Sequence, residues 1–192
     1  MLPFAAAGYE EQYFWPDRLI NNEVLIAQIG REDDVHALIE LYEATERAVY
    51  AYILSIILNP AAAVDLVQET YICVRRSAHL YVPTGKPLAW LLSIARKLAK
   101  DYIRVHKHDI IQPEGEFNLD CIAEITDRII LKRAMGSLRS KERQVLFLHA
   151  AAGLRHREIS AYLSIPISTV QTRYRHSVDK LKKRLYALGV SL

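Results

Sequence analysis

The stretch from Arg155 to Leu185, RHREISAYLSIPISTVQTRYRHSVDKLKKRL, constrains this chain more than any other. Ile159 and Leu163 stand one turn apart, as the buried side of a short amphipathic helix over Glu158–Leu163 would. Ser164-Ile165-Pro166 ends that helix, because proline lacks the next amide N–H and disfavours helix in the residue before it. Ser168 is the expected N-cap of a second helix, with Gln171 in the capping-box position. Val170, Tyr174, Val178, Leu181 and Leu185 recur at helical spacing and predict one apolar stripe. Thr169, Gln171, Thr172, Arg173, Arg175 and His176 are left facing away from it.

Such a pair fits a helix-turn-helix, whose second helix enters the major groove by its N-terminal end. Arg can pair with guanine and Gln with adenine through two hydrogen bonds each. Lys180, Lys182, Lys183 and Arg184 follow at positions suited to phosphate contact. An αα-hairpin with a solvated basic face carries the same pattern, so the charge distribution matters. The formal charge is only +3, but it is unevenly spread. Residues 127–192 hold 14 Lys and Arg against 4 Asp and Glu, while residues 1–95 hold 6 against 12. A strongly basic segment around the helix pair is the footprint of a nucleic-acid binder. The acidic first half suits another task, or a basic partner.

Along the chain, residues 1–21 form an aromatic-rich extension with Phe4, Tyr9, Tyr13, Phe14 and Trp15. Helix is expected from about Asn22, interrupted at Gly30 and restarted at Asp33-Asp34 to run to about Leu58. Asn59-Pro60 marks a turn, and a helix over 61–81 follows. Pro83, Gly85 and Pro87 break it, and another helix spans Leu88 to about His106. No stretch alternates like a strand for long, so the expected class is all-α: a helical bundle over 22–106 and a helix-turn-helix domain over 127–192. Residues 107–126, with Pro113, Gly115 and scattered acids, are the linker. Helices over about 128–138 and from a Ser140 cap to about Ala151 open the second domain, with Gly153 closing the latter.

Two separated segments resemble the extracytoplasmic-function (ECF) subfamily of bacterial RNA polymerase sigma factors. Asp65-Leu66-Val67-Gln68-Glu69-Thr70-Tyr71, then Ala89-Trp90-Leu91 and Ile94-Ala95-Arg96, resemble the second region of that family. Ser137-Leu138, Glu142-Arg143-Gln144-Val145 and the helix-turn-helix resemble its fourth region. The resemblance covers about residues 22–186. It implies a dissociable initiation subunit that recognises and opens promoter DNA on the polymerase core. Asp65, Val67, Gln68, Glu69 and Ile72 would meet the clamp helices of the polymerase. Lys86, Trp90, Arg96, Lys97, Lys100 and Arg104 would bind the downstream promoter box. In the family the loop before this helix helps accept a flipped base, and here it reads His79 to Lys86. Thr169, Gln171, Thr172, Arg173, Arg175 and His176 would read the upstream box, with Lys183 on phosphate. An anti-sigma inhibitor is the implied further partner.

The chain departs from the family in five places. Lys97 stands where Asn is common, and Ser164 and Ser168 where Gly is usual. Arg155-His156 replaces an aromatic and acidic pair, and Ala61-Ala62-Ala63 replaces an acidic run. The chief rival is a helix-turn-helix regulator that binds DNA without joining the polymerase. An enzyme is not expected: no catalytic dyad or phosphate-binding glycine loop stands out, and His106, His108 and Cys121 match no familiar zinc spacing. No cofactor and no metal are therefore expected. The two cysteines lack CxxC spacing, the first residues do not read as a signal peptide, and no apolar run could span a membrane. Together these point to the cytoplasm.

Overall fold

The computed structural model describes residues 16–83, 85–106 and 133–189, with side chains from residue 22 onward. Among them no strand occurs, and the chain is all-α as its apolar spacing requires. Helix α1 spans Pro16–Glu32, α2 Val35–Ile57 and α3 Pro60–Ser77. A 3-10 turn, Ala78–Leu80, leads towards α4 at Pro87–Val105. Residues 133–136 are helical, and α5 (Ser140–Ala150), α6 (His156–Leu163) and α7 (Ile167–Ala187) complete the described chain. The expected linker over 107–126 lies outside the described residues, as does the first part, 128–132, of the helix expected over 128–138.

Local chemistry sets the helix ends. The Asp34 carboxylate accepts from the His36 and Ala37 amides at 2.8 and 3.2 Å, capping α2. Asn59 caps α3 in the same way through the Ala62 amide, with Pro60 in the first turn where its missing N–H costs nothing. Between α1 and α2, Asp33 turns the chain at φ +51° and pairs with Arg75 at 2.6 Å.

Gly30 does not interrupt the first helix, contrary to the expectation from sequence, and α1 begins at Pro16 rather than near Asn22. The glycine serves close packing instead. A Cβ built on it would lie 2.8 Å from the Ala78 carbonyl carbon and the His79 amide nitrogen. Backbone therefore meets backbone where α1 crosses the 3-10 turn.

The core is organised on α2. Leu41, Val49 and Ile53 are fully enclosed, and Leu25, Ile26 and Ile29 of α1 pack with them. Leu66 and Val74 of α3, and Leu88, Leu91, Leu92 and Ala95 of α4, complete the bundle. One buried polar pair is satisfied internally. The Thr45 hydroxyl donates to the Leu41 carbonyl at 2.6 Å, so it accepts from the Tyr71 hydroxyl at 2.7 Å. Burial pushes the Tyr71 phenol up, which keeps it the protonated donor.

The second half packs on the first through α5, which lies across α2. Val145, Leu148, Leu154, Ile159 and Val170 join the same continuous apolar cluster as the first bundle. Arg143 reaches over this junction: Nε donates to the Ser55 carbonyl at 2.9 Å and another guanidinium nitrogen to the Leu138 carbonyl at 2.7 Å.

Replacing a helical glycine by alanine normally stabilises by about 0.5–1 kcal/mol. At Gly30 the backbone clash reverses the sign, and Gly30→Ala is expected to lower stability by about 1–3 kcal/mol. Gly136→Ala, whose new methyl meets nothing within 4 Å, is the control that should lose nothing in a denaturant titration.

Candidate nucleic-acid interface

The helix-turn-helix is built by two glutamates placed alike. Arg139 N–H donates to Glu142 Oε2 at 2.9 Å and Arg155 N–H to Glu158 Oε2 at 2.6 Å, so each acid caps the helix it belongs to. Arg139, not Ser140, is thus the cap residue of α5. Gly153, at φ +73°, turns the chain after α5 as expected. Between α6 and α7 the turn is closed twice by one serine: the Ser160 hydroxyl donates to the Ile165 carbonyl at 2.6 Å, and the Ile165 amide donates to the Ser160 carbonyl at 3.1 Å. Ser164 holds a left-handed conformation there, φ +52°. That accounts physically for glycine being favourable at this place.

The expected capping box of Ser168 and Gln171 does not form. Pro166, in extended conformation, occupies the cap position, and its carbonyl accepts from the Thr169 and Val170 amides at 3.0 and 3.2 Å. Ser168 therefore falls inside the first turn, and Gln171 remains exposed with its amide free to face outward. Gln171, Thr172, Arg175, His176 and Lys183 are all exposed, while Thr169 and Arg173 are half-buried. The buried side of α7 also differs from the predicted stripe. Val170 is fully enclosed, but Ser177 rather than Val178 is the next buried residue. The Ser177 hydroxyl lies 2.6 Å from the Arg173 carbonyl and 3.1 Å from the Glu142 carbonyl, which draws α7 onto α5.

Lys180 is paired with Glu142, whose two carboxylate oxygens receive its ammonium at 2.7 and 3.0 Å. Burial alone would push the Glu142 carboxyl up, but Lys180 and the Arg139 amide hold it below its ordinary value. Lys182, Lys183 and Arg184 stay exposed beyond it.

A cluster of three rings braces α7, and no sequence spacing announced it. His149 of α5, His156 of α6 and Tyr174 of α7 lie with centroids 4.6 to 5.2 Å apart. The His149 Nδ1 hydrogen bonds to the Leu154 carbonyl at 2.7 Å, which requires the proton on that nitrogen. The His156 Nε2 is buried without a partner. Burial and the neighbouring His149 push its pKa below the usual histidine value.

In the first half, Lys86 precedes α4, and Trp90 on its first turns is half-buried with its ring 5.0 Å from that of Tyr81. Arg96, Lys97, Lys100 and Arg104 are exposed along the same helix, the last paired with Asp101 at 3.1 Å. On α3, Asp65, Gln68, Glu69 and Ile72 are exposed and share one face. Val67 does not belong to it: it is 5% exposed and packs in the core, so its side chain holds the face up from beneath. The face is wider and more apolar than its motif suggested. Tyr42 of α2 and Val64 of α3, both exposed, line one shallow groove with Gln68. Among the described residues no group of three or more metal-binding side chains converges, and no helix is long and apolar enough to cross a membrane.

Residues 41–108 match the family described as Sigma-70 region 2, and residues 128–181 match that described as Sigma-70, region 4. A curated relative, the ECF RNA polymerase sigma factor SigK of Mycobacterium sp. (strain JLS), is 29% identical over 180 residues, spanning 88% of this chain and 91% of its own. The fold is shared with CnrH in complex with the cytosolic domain of CnrY, at TM-score 0.64, 22% identity, 87% of this chain and 98% of that one. It is shared also with the sigma factor RpoE in complex with the anti-sigma factor NepR from Bartonella quintana, at TM-score 0.53 and 20% identity over 77% and 95% of the two chains.

Ser164→Gly should relieve the left-handed strain and raise stability by about 1 kcal/mol, read from thermal unfolding. The histidine cluster sets a pH dependence. Because the folded protein resists protonating His156, the unfolded chain binds more protons as pH falls through the ordinary histidine value of about 6.5. Stability therefore drops on going from neutral to mildly acidic solution. Denaturant midpoints across that range should fall less steeply in His156→Gln than in the wild type.

Proposed function

Because the chain belongs to the ECF subfamily of sigma-70 RNA polymerase sigma factors, we propose that it divides promoter recognition among three surfaces. Asp65, Gln68, Glu69 and Ile72, with the apolar side chains beside them on α2 and α3, dock on the clamp helices of the polymerase core. Polar groups around an exposed apolar centre are the usual make-up of a protein interface. Lys86, Trp90, Arg96, Lys97, Lys100 and Arg104 take the downstream box as it opens. A row of cations suits successive phosphates, and an aromatic ring suits an unstacked base. Thr169, Gln171, Thr172, Arg173, Arg175 and His176 read the upstream box in the major groove, and Lys183 holds phosphate.

The observation that carries this reading is the pairing of two exposed cationic helices, α4 and α7, with a separate acidic and apolar face on α3. A regulator that merely bound duplex DNA would need α7 and not the other two. The chain performs no bond chemistry of its own on this account; it supplies binding energy and captures bases, without metal or cofactor. It acts in the cytoplasm, where the polymerase is, and an anti-sigma protein covers its docking face when it is held inactive. The neighbouring fold of RpoE, seen with an anti-sigma factor, supports that last element.

Two sets of variants test the division. Arg173→Ala is expected to weaken binding to the cognate upstream box by about 1–3 kcal/mol and to scrambled duplex far less, whereas Lys183→Ala weakens both alike. Equal losses on both duplexes for both variants would defeat the assignment. The double variant Gln68→Ala, Ile72→Ala should lose about tenfold or more in affinity for polymerase core by fluorescence anisotropy, with upstream duplex binding intact. Unchanged core affinity would favour the free-standing regulator.

A further inference from the structure

The segment between the 3-10 turn and α4 is fastened to α1 at both ends. At its start, Gly30 brings the α1 backbone against that of Ala78 and His79. At its far end, one oxygen of Glu23 does the work: Oε1 accepts from the Tyr81 hydroxyl at 2.8 Å and from the Gly85 amide at 2.7 Å. Gly85 stands at φ +71°, a backbone state that glycine adopts without strain and holds only if something fixes it. Tyr81 in turn carries the Trp90 ring, and Gly85 adjoins Lys86. The same carboxylate therefore governs both a ring and a cation assigned to the downstream box. Leu80 and Val82, on either side of Tyr81, are 69% and 70% exposed. Exposed apolar side chains on the loop, with an aromatic ring at the start of the helix that follows, offer surface that an unstacked base can cover.

We infer that Glu23 is the positioning residue for downstream-box recognition: by tying Tyr81 and Gly85 to α1 it keeps Leu80, Val82, Trp90 and Lys86 in one fixed arrangement for an extruded base. The inference rests on the reading that α4 and the loop before it bind that box. Without Glu23 the loop is solvated, and water replaces its two bonds at little cost to the fold. What is lost is preorganisation. A glycine-containing loop freed from its anchor must be ordered anew at each binding event, and a loosely held surface discriminates poorly between bases.

The test uses full-length chain assembled with polymerase core, and single-stranded oligonucleotides carrying the downstream box of a promoter it transcribes. Affinities for this oligonucleotide and its single-base variants give a discrimination ratio. Glu23→Ala should lower that ratio by about tenfold as the loop loses its fixed arrangement. Glu23→Gln keeps an acceptor oxygen and should stay within about twofold of wild type, because its amide oxygen can take both bonds. Tyr81→Phe, which removes one bond and keeps the ring, should fall between them. Upstream duplex binding and the melting curve should not change in any of the three. The inference is overturned if Glu23→Ala keeps the wild-type ratio, if the Gln variant loses as much as the Ala variant, or if upstream binding falls in parallel. Trp90→Ala and Lys86→Ala separate the two levels. If they weaken oligonucleotide binding while Glu23→Ala changes nothing, only the role of Glu23 is wrong. If they too change nothing, α4 is not the downstream site and the inference falls with that reading.

Discussion

Helix α2 is apolar around most of its circumference, and the rest of the molecule follows from covering it. A helix with one apolar stripe needs one neighbour; a helix buried at Ala37, Leu41, Val49, Tyr52, Ile53 and Ile57 needs several. Helices α1, α3, α4 and α5 all pack against it, while Val35, Ile39 and Tyr42 near its start stay exposed. Each large side chain so enclosed contributes about 1.5–3 kcal/mol relative to exposure, so leaving one side of α2 bare would be costly. The polar atoms admitted to this interior, Thr45 and Tyr71, satisfy each other. Buried in this way, α2 becomes the frame on which α3 and α4 present their outer faces.

The second half uses a different economy. Its helices are short, and α7 buries only Val170 and Ser177 fully. Specific polar contacts compensate. Glu142 caps its own helix, binds Lys180 and lends its carbonyl to Ser177, so one residue fixes the start of α5 and the angle of α7. The ring cluster of His149, His156 and Tyr174 adds a third brace. Such a domain keeps its recognition helix in place while leaving nearly all of that helix's outer surface free.

Much of this was legible in the sequence. The all-α class, the helix-turn-helix and the run of helices followed from spacing and from Asn59, Pro60, Pro87 and Pro166. The misreadings have physical causes. Gly30 was read as a break because propensity knows nothing of a backbone packed against it. Ser168 is a better cap than Pro166 by side-chain chemistry, but the proline's carbonyl was already in place to accept the first amides. Val67 shares a motif with surface residues, yet its helical phase turns it inward. The pairing of Lys180 with Glu142 was not visible in the spacing, because the two are remote in sequence. The contacts of Glu23 with Tyr81 and Gly85, and the histidine cluster, link residues too far apart for any spacing argument to reach.

The proposed division into three surfaces requires one chain to join a polymerase and a promoter at once. The most direct test is run-off transcription with purified polymerase core on a pool of promoters, with and without this protein. Transcripts that start at a defined set of promoters only when the protein is present are what the account predicts. An unchanged transcript pool, from a protein that still binds duplex DNA through α7, would contradict it.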